Sequence, residues 1–260
     1  MGIANGRVAN GSWLLQIIDT EMRTLVVVPT YNERQNAPVL APGLLALAVP
    51  VDICFVDDNS PDGTGAVLDG LAEREPRVHV IHRPAKLGLG AAYVAGFRFG
   101  LARGYDALVQ MDADLSHDPE AVAELLGALG EADVAVGSRY VDGVQVLDWP
   151  MRRLLLSFAA NVYATRITGL RVRDATGGFN AYRRAVLEAL DLDRIHSNGY
   201  VFQIEMKARA QAAGFRLTDV LIVFRGRHSG TSKISRGIVL EALVRVWGFR
   251  LRRWFRRGRS

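Results

Sequence analysis

A single cysteine, Cys54, stands in the whole chain, inside the apolar run Ile53-Cys54-Phe55-Val56. It has no partner for an internal disulfide, so it is expected in the core, and nothing points to an oxidising compartment. The five histidines are scattered, and no paired Cys/His set, HExxH, GxSxG or P-loop pattern occurs. Zinc hydrolysis, serine-esterase chemistry and P-loop phosphate binding are therefore not indicated. Long apolar runs are also lacking. The longest uncharged stretch, Gln35 to Val51, carries Pro38, Pro42 and Pro50, and Leu154 to Thr165 is too short to span a bilayer. The first twenty residues lack the basic start, apolar core and cleavage site of a signal peptide. Internal repeats and low-complexity linkers are absent as well.

Acid is missing from one end. From Arg245 onward there are seven arginines and no Asp or Glu; subtracting them from the net charge of +5 leaves −2 for the rest. The chain is thus a near-neutral body with a basic tail, which argues against a nucleic-acid groove spread over the fold. With 49% apolar residues in 260, one large domain, or one domain with an appendage, is expected.

Residues 1–22 have no period and read as a loose leader. Leu25-Val26-Val27-Val28 reads as a buried parallel strand stopped by Pro29, followed by a helix over about 34–47. Strands then alternate with helices: strands over 52–56, 78–81, 107–111 and 133–137, helices to about Glu75, to about Arg103 and from Asp118 to Leu129. Asp118 should cap that last helix, with Pro119 at its first position. Such alternation predicts right-handed βαβ units, an α/β Rossmann-like, mostly parallel sheet with helices on both faces. Further helices are expected over 152–168, with Leu154, Leu155, Phe158 and Val162 on one side, over 183–190 and over 199–213, and a strand over 217–224. The last segment, 238–260, has a helical period over about 238–257. Leu240, Leu243, Val244, Trp247, Leu251, Trp254 and Phe255 share one face and Arg245, Arg252, Arg253 and Arg256 cluster opposite, with Phe249 out of place. That pattern fits a helix lying in a membrane interface; a partner-binding helix, or one packed on the domain, fits it too.

Three polar clusters end successive strands: Pro29-Thr30-Tyr31-Asn32-Glu33, Asp57-Asp58, and Asp112-Ala113-Asp114. In a doubly wound sheet these ends meet at one crevice. So many carboxylates repel one another unless a cation or hydrogen-bond donors are present. A nucleotide diphosphate supplies both needs: N–H and hydroxyl donors on base and ribose, and a divalent ion that the last acidic pair could hold. The rival dinucleotide fingerprint is incomplete, because Gly88-Leu89-Gly90 follows the third strand and Tyr93 stands where a third glycine belongs.

These motifs, with Gly137-Ser138-Arg139-Tyr140, Asp174-Ala175-Thr176-Gly177-Gly178-Phe179, Gly199-Tyr200-Val201-Phe202-Gln203-Ile204-Glu205-Met206 and Arg227-His228-Ser229-Gly230-Thr231-Ser232-Lys233, resemble the inverting family 2 glycosyltransferases of GT-A fold. Within them they resemble the dolichol- or polyprenol-phosphate mannose synthases, over about residues 24–235. The resemblance implies transfer of mannose from GDP-mannose to a polyprenyl phosphate with inversion. It implies that Pro29, Tyr31, Glu33, Val56 and Asp58 hold the guanosine and that Asp112 and Ala113 contact nucleotide and sugar. It implies that Asp114, with Asp112 and Ser116, binds Mg²⁺ or Mn²⁺; some relatives have Gln at the Ser116 position. Arg139, Arg227 and Lys233 would engage sugar-nucleotide phosphates, and Arg139, Arg153 and Ser157 would face the acceptor phosphate. Asp114, Arg139 and Arg153 are then the residues expected to carry catalysis. Asp174 would be the base if one were needed, with a structural role the preferred reading, and of Gln203 and Glu205 at most one would face the site. The expected location is peripheral, at the cytoplasmic face of a membrane, with a membrane-anchoring subunit or fused domain as a possible companion and no nucleic acid. Two alternatives stay open: a polyprenyl-phosphate glucosyltransferase using UDP-glucose, and a non-catalytic nucleotide-binding module with a basic partner-binding tail.

Overall fold

The computed structural model of the chain describes residues 22–147, 149–226 and 247. Its core is a seven-stranded mixed sheet in the order β3-β2-β1-β4-β6-β5-β7. The strands are β1 (Thr24–Thr30), β2 (Asp52–Asp57), β3 (Val78–His82), β4 (Ala107–Gln110), β5 (Val134–Ser138), β6 (Asn180–Arg183) and β7 (Leu217–Leu221). β1 pairs in parallel with β2 and β4, β2 with β3, and β5 with β7, whereas β6 runs antiparallel between β4 and β5. Leu25, Val26, Val27 and Val28 have no exposed surface, as expected of a central strand covered on both faces.

The helices are α1 (Ala37–Leu45), α2 (Thr64–Ala72), α3 (Leu89–Ala102), α4 (Ala121–Ala128), α5 (Met151–Thr168), α6 (Arg184–Ala189) and α7 (Gly199–Ala212). Two apolar layers sandwich the sheet. Leu40 and Leu44 of α1 and Leu125 of α4 pack with Val26 and Val28 on one face. Tyr93 and Phe97 of α3 and Phe202 and Met206 of α7 pack with Leu25 and Val27 on the other. Gly96 of α3 allows close approach: a Cβ there would lie 2.2 Å from Val27 Cγ1.

Four expectations are corrected. β6 was not anticipated; it is four residues long, Asn-Ala-Tyr-Arg, too short for a period to register. Asp118 and Pro119 do not open α4: Asp118 Oδ1 accepts the Glu120 N–H in a turn, and the helix starts at Ala121. β7 stops at Leu221, although Phe224 forms an isolated bridge with Val146. On α5 the buried residues are Asn161, Ala164 and Thr168, while Leu155, Leu156 and Phe158 are exposed. Of the side read as apolar, Leu155 and Phe158 are therefore outward, while Leu154 and Val162 are half-buried. Asn161 is buried because its amide donates to the Arg173 carbonyl (2.5 Å) and accepts the Ala175 N–H (2.8 Å).

No helix among the described residues is long and apolar enough to cross a membrane. Of the basic segment 238–260 only Trp247 is described. It is helical, half exposed, and donates its indole N–H to the Tyr163 hydroxyl of α5 (2.9 Å). Residues 1–21 of the expected leader 1–22 lie outside the described residues, as do Arg227 and Lys233.

Candidate active site

Because β2, β1 and β4 are adjacent and parallel, their carboxyl ends place the three polar clusters side by side. The order reverses between β1 and β4, which is where an open α/β sheet leaves a crevice.

At the first cluster Lys86 Nζ sits 3.7 Å from the centroid of the Tyr31 ring, and Glu33 Oε2 accepts from Asn36 Nδ2. At the second, Asp57 accepts from the Thr30 hydroxyl (3.2 Å) and from the Ser60 N–H (3.1 Å), and so ties β1 to β2. Asp58, expected at the guanosine, is also bound within the protein. Its Oδ1 accepts from Arg83 (2.6 Å) and its Oδ2 from the Gly88 N–H (3.2 Å), so a buried guanidinium already pairs with it. Burial raises its pKa and Arg83 opposes the rise. Val56 and Ala113 are buried among apolar neighbours, which leaves their main chains as the groups that could reach a ligand.

The third cluster is the centre. Asp112 Oδ1 accepts from the Tyr93 hydroxyl (2.9 Å). Burial, then the Asp112 charge, raises the Tyr93 pKa well above its ordinary value, so the phenol stays a donor. Asp114 Oδ1 accepts the Ser116 N–H (3.1 Å), closing a turn in which Leu115 has φ +60°. A branched side chain in the left-handed region is strained, and such strain is a feature of ligand-binding turns. Next to it the buried Ser116 Oγ and both ring nitrogens of His117 have no hydrogen-bond partner among the described residues. His117 lies between Phe179 and Phe224, with Nε2 4.0 Å from Asp112 Oδ2. Burial lowers its pKa to about 4, opposed by Asp114, so the ring is neutral near pH 7.

No three His, Cys, Asp or Glu side chains converge as a complete metal cage among the described residues. A Mg²⁺- or Mn²⁺-nucleotide does not need one. One or two carboxylates plus substrate phosphates suffice, and the Asp112/Asp114 pair with the unpartnered Ser116 hydroxyl offers that donor set.

Beyond β5 lies the cationic side. Arg139 is buried and doubly bound to Asp174, Nε to Oδ2 (2.7 Å) and an Nη to Oδ1 (2.9 Å), and it also donates to the Thr176 hydroxyl (2.9 Å). Burial alone would raise the Asp174 pKa, but Arg139 holds it down to about 2. Asp174 is thus an ion-pair anchor, as preferred from the sequence. Trp149 stands between two arginines, 5.9 Å from Arg139 and 3.9 Å from Arg153. Ser157, one turn beyond Arg153 on α5, is 3.1 Å from the Tyr140 hydroxyl. Gln203 lies beneath the site and accepts from Gln110 (3.0 Å), whereas Glu205 is taken up by Ser197 and Arg209. A cavity of about 490 Å³ between α1 and α2, bordered by Arg34, Pro38, Val67 and Arg74, contains none of these groups.

The Glycosyl transferase family 2 profile matches residues 25–191, a span holding all three carboxylate clusters and Arg139. The chain belongs to glycosyltransferase family 2. It is 51% identical over 232 residues to polyprenol monophosphomannose synthase of Mycolicibacterium smegmatis, covering 88% of each chain. It is 50% identical over 234 residues to undecaprenyl-phosphate mannosyltransferase of Micrococcus luteus, covering 89% of this chain and 96% of that one. Its fold matches glucosyl-3-phosphoglycerate synthase of Mycobacterium tuberculosis, solved with Mn²⁺, UDP and glucosyl-3-phosphoglycerate. There the TM-score is 0.64 at 16% identity, over 95% of this chain and 87% of that one. The architecture is that of the GT-A glycosyltransferases, and this chain is a glycosyltransferase of family 2. The sequence alone did not single out Tyr93, Trp149 or Arg83 as site residues. For Tyr93 there was a signal, a bulky phenol where a dinucleotide turn has glycine.

Proposed function

We propose that this glycosyltransferase moves mannose from GDP-mannose to the phosphate of a polyprenyl lipid, with inversion at the sugar. The observation that carries the reading is the pairing of an acidic turn, Asp112 to Ser116, with a cationic wall, Arg139 and Arg153, in a chain half identical to two polyprenyl-phosphate mannose enzymes.

The chemistry fits that pairing. A phosphate monoester is largely dianionic near pH 7 and is already a nucleophile. No base is required, and Asp174, locked to Arg139, supplies none. An acceptor phosphate oxygen forms the new bond to the anomeric carbon. The bond from that carbon to the β-phosphate oxygen breaks, and GDP leaves with the electron pair. Two anionic partners must approach, and planar guanidinium groups suit that task. Arg139 is the buried, fixed one; Arg153, stacked on Trp149, and Ser157 stand on α5 where a lipid phosphate arrives. Pro29, Tyr31, Glu33, Val56 and Asp58 are assigned to the guanosine, and Asp112 and Ala113 to nucleotide and sugar. Asp112, Asp114 and Ser116 would hold Mg²⁺ or Mn²⁺, which when bound neutralises charge building on the leaving diphosphate. Arg227 and Lys233 are assigned to the same phosphates.

The lipid keeps the reaction at headgroup height. Leu155 and Leu156, 60% and 58% exposed, face outward from the helix that carries Arg153 and Ser157. These leucines, and the arginine-rich segment 238–260, are assigned to a peripheral stay on the cytoplasmic face of a membrane. The test is to offer labelled GDP-mannose and UDP-glucose in parallel, with a short polyprenyl phosphate and Mg²⁺. Organic-extractable label from GDP-mannose supports the reading. Label from UDP-glucose alone overturns the donor, and oligonucleotide binding without transfer overturns the enzyme.

A further inference from the structure

Lys207 is a buried cation that the reaction as described does not use. It lies on α7 with no exposed surface, and its Nζ donates to the carbonyls of Gly177 (2.7 Å) and Ala175 (3.2 Å). Those carbonyls belong to the turn from Asp174 to Gly178. At one end of the turn the Asp174 carboxylate grips Arg139 while accepting the turn's own Gly177 N–H (2.8 Å). At the other end Gly178 lies beside the acidic centre: a Cβ there would lie 3.5 Å from Asp112 Oδ2 and 3.2 Å from Gln203 Nε2. Gln203 is one helical turn before Lys207, so α7 holds the turn through Lys207 and sets a second side chain beside Gly178.

A buried ammonium is costly to desolvate, and an apolar side chain of similar length would fill the same space without that cost. Two hydrogen bonds from the ammonium to main-chain carbonyls hold a glycine turn in a way no apolar residue can. We infer that Lys207 is a positioning residue, fixing the Asp174–Gly178 turn so that Arg139 and Asp112 keep their places on opposite sides of the sugar-nucleotide site. This rests on the function proposed above. The charged groups around Lys207 are Asp174 and Asp219, which favour its protonated form, and Arg139, which opposes it; burial is the largest influence and lowers its pKa to about 7.

The full chain is tested as Lys207→Met, which removes donors and charge, and Lys207→Gln, which keeps an amide donor of shorter reach. Transfer from GDP-mannose is measured per folded molecule, with folded fraction taken from circular dichroism. Misplacement of site groups predicts kcat lower by about tenfold or more in K207M and by at least about threefold in K207Q. A double-mutant cycle with Arg139→Lys separates positioning from bulk stability. If Lys207 acts through Arg139, the combined loss falls well short of the product of the single losses. Folded K207Q or K207M with kcat like wild type, or losses that multiply fully, overturns the inference. Should K207M not fold, K207Q decides on the same criteria. A wild-type protein that transfers nothing overturns the proposed function; a competent wild type with indifferent Lys207 variants overturns only the role of Lys207.

Discussion

The Tyr93 hydroxyl donates to Asp112 Oδ1 at 2.9 Å, so a residue on α3 orients a carboxylate at the end of β4. Stacking of Tyr93 on Phe202 of α7, centroids 5.8 Å apart, fixes the phenol in turn. Tyr93→Phe keeps that packing and removes only the donor. The expected result is a stability loss of about 1 kcal/mol with weaker binding of Mn²⁺-GDP. Calorimetric titration and urea unfolding on the same preparation separate the two effects.

The Arg139–Asp174 pair is buried, and removing one member leaves the other uncompensated. Asp174→Asn is expected to cost roughly 3 kcal/mol or more and to lower transfer sharply. The pair also sets an acid limit. Asp174 titrates at about 2 when folded, against an ordinary value of 3.8. The unfolded chain therefore binds the proton more readily. The stabilisation is complete above about pH 4 and is lost as pH falls through that window toward 2. Urea midpoints taken at pH 6 and pH 3 should drop for wild type by more than for D174N.

Leu155, Leu156 and Phe158 face outward on the helix bearing Arg153 and Ser157. Replacing Leu155 and Leu156 together by serine removes apolar surface and leaves Arg153, Ser157 and the Phe158–Tyr140 contact in place. Binding to anionic vesicles should weaken, and use of a long-chain acceptor in vesicles should fall more than use of a short, detergent-soluble one. Deleting residues 238–260 should likewise reduce vesicle binding, most clearly at low salt. Unchanged sedimentation of both variants with vesicles would remove the membrane surface from the account.

The βαβ order was legible because each central strand is an apolar run ended by polar turn residues, as with Leu25 to Val28 before Pro29. The acidic turn was legible because Asp112 and Asp114 sit two apart at such an end. β6 was not, since four residues carry no period and its place is set by pairing with β4 and β5 far along the chain. Nor was the outward face of α5. Leu154, Leu155, Phe158 and Val162 follow a helical period, but Asn161 is what anchors the helix, through bonds to Arg173 and Ala175. A period tells which residues share a side, not which side meets the core. Tyr93 showed only as a phenol in place of a glycine, and its bond to Asp112, like the bonds of Lys207 to the Ala175 and Gly177 carbonyls, joins separate segments that no local pattern links.

The most direct measurement compares wild type with Asp114→Asn in transfer of label from GDP-mannose to polyprenyl phosphate with Mg²⁺ or Mn²⁺ present. Lipid-borne label from wild type, lowered by about a hundredfold or more in the variant, is the predicted result. Equal label from both proteins would contradict the assignment of the Asp112–Ser116 turn as the centre of the reaction.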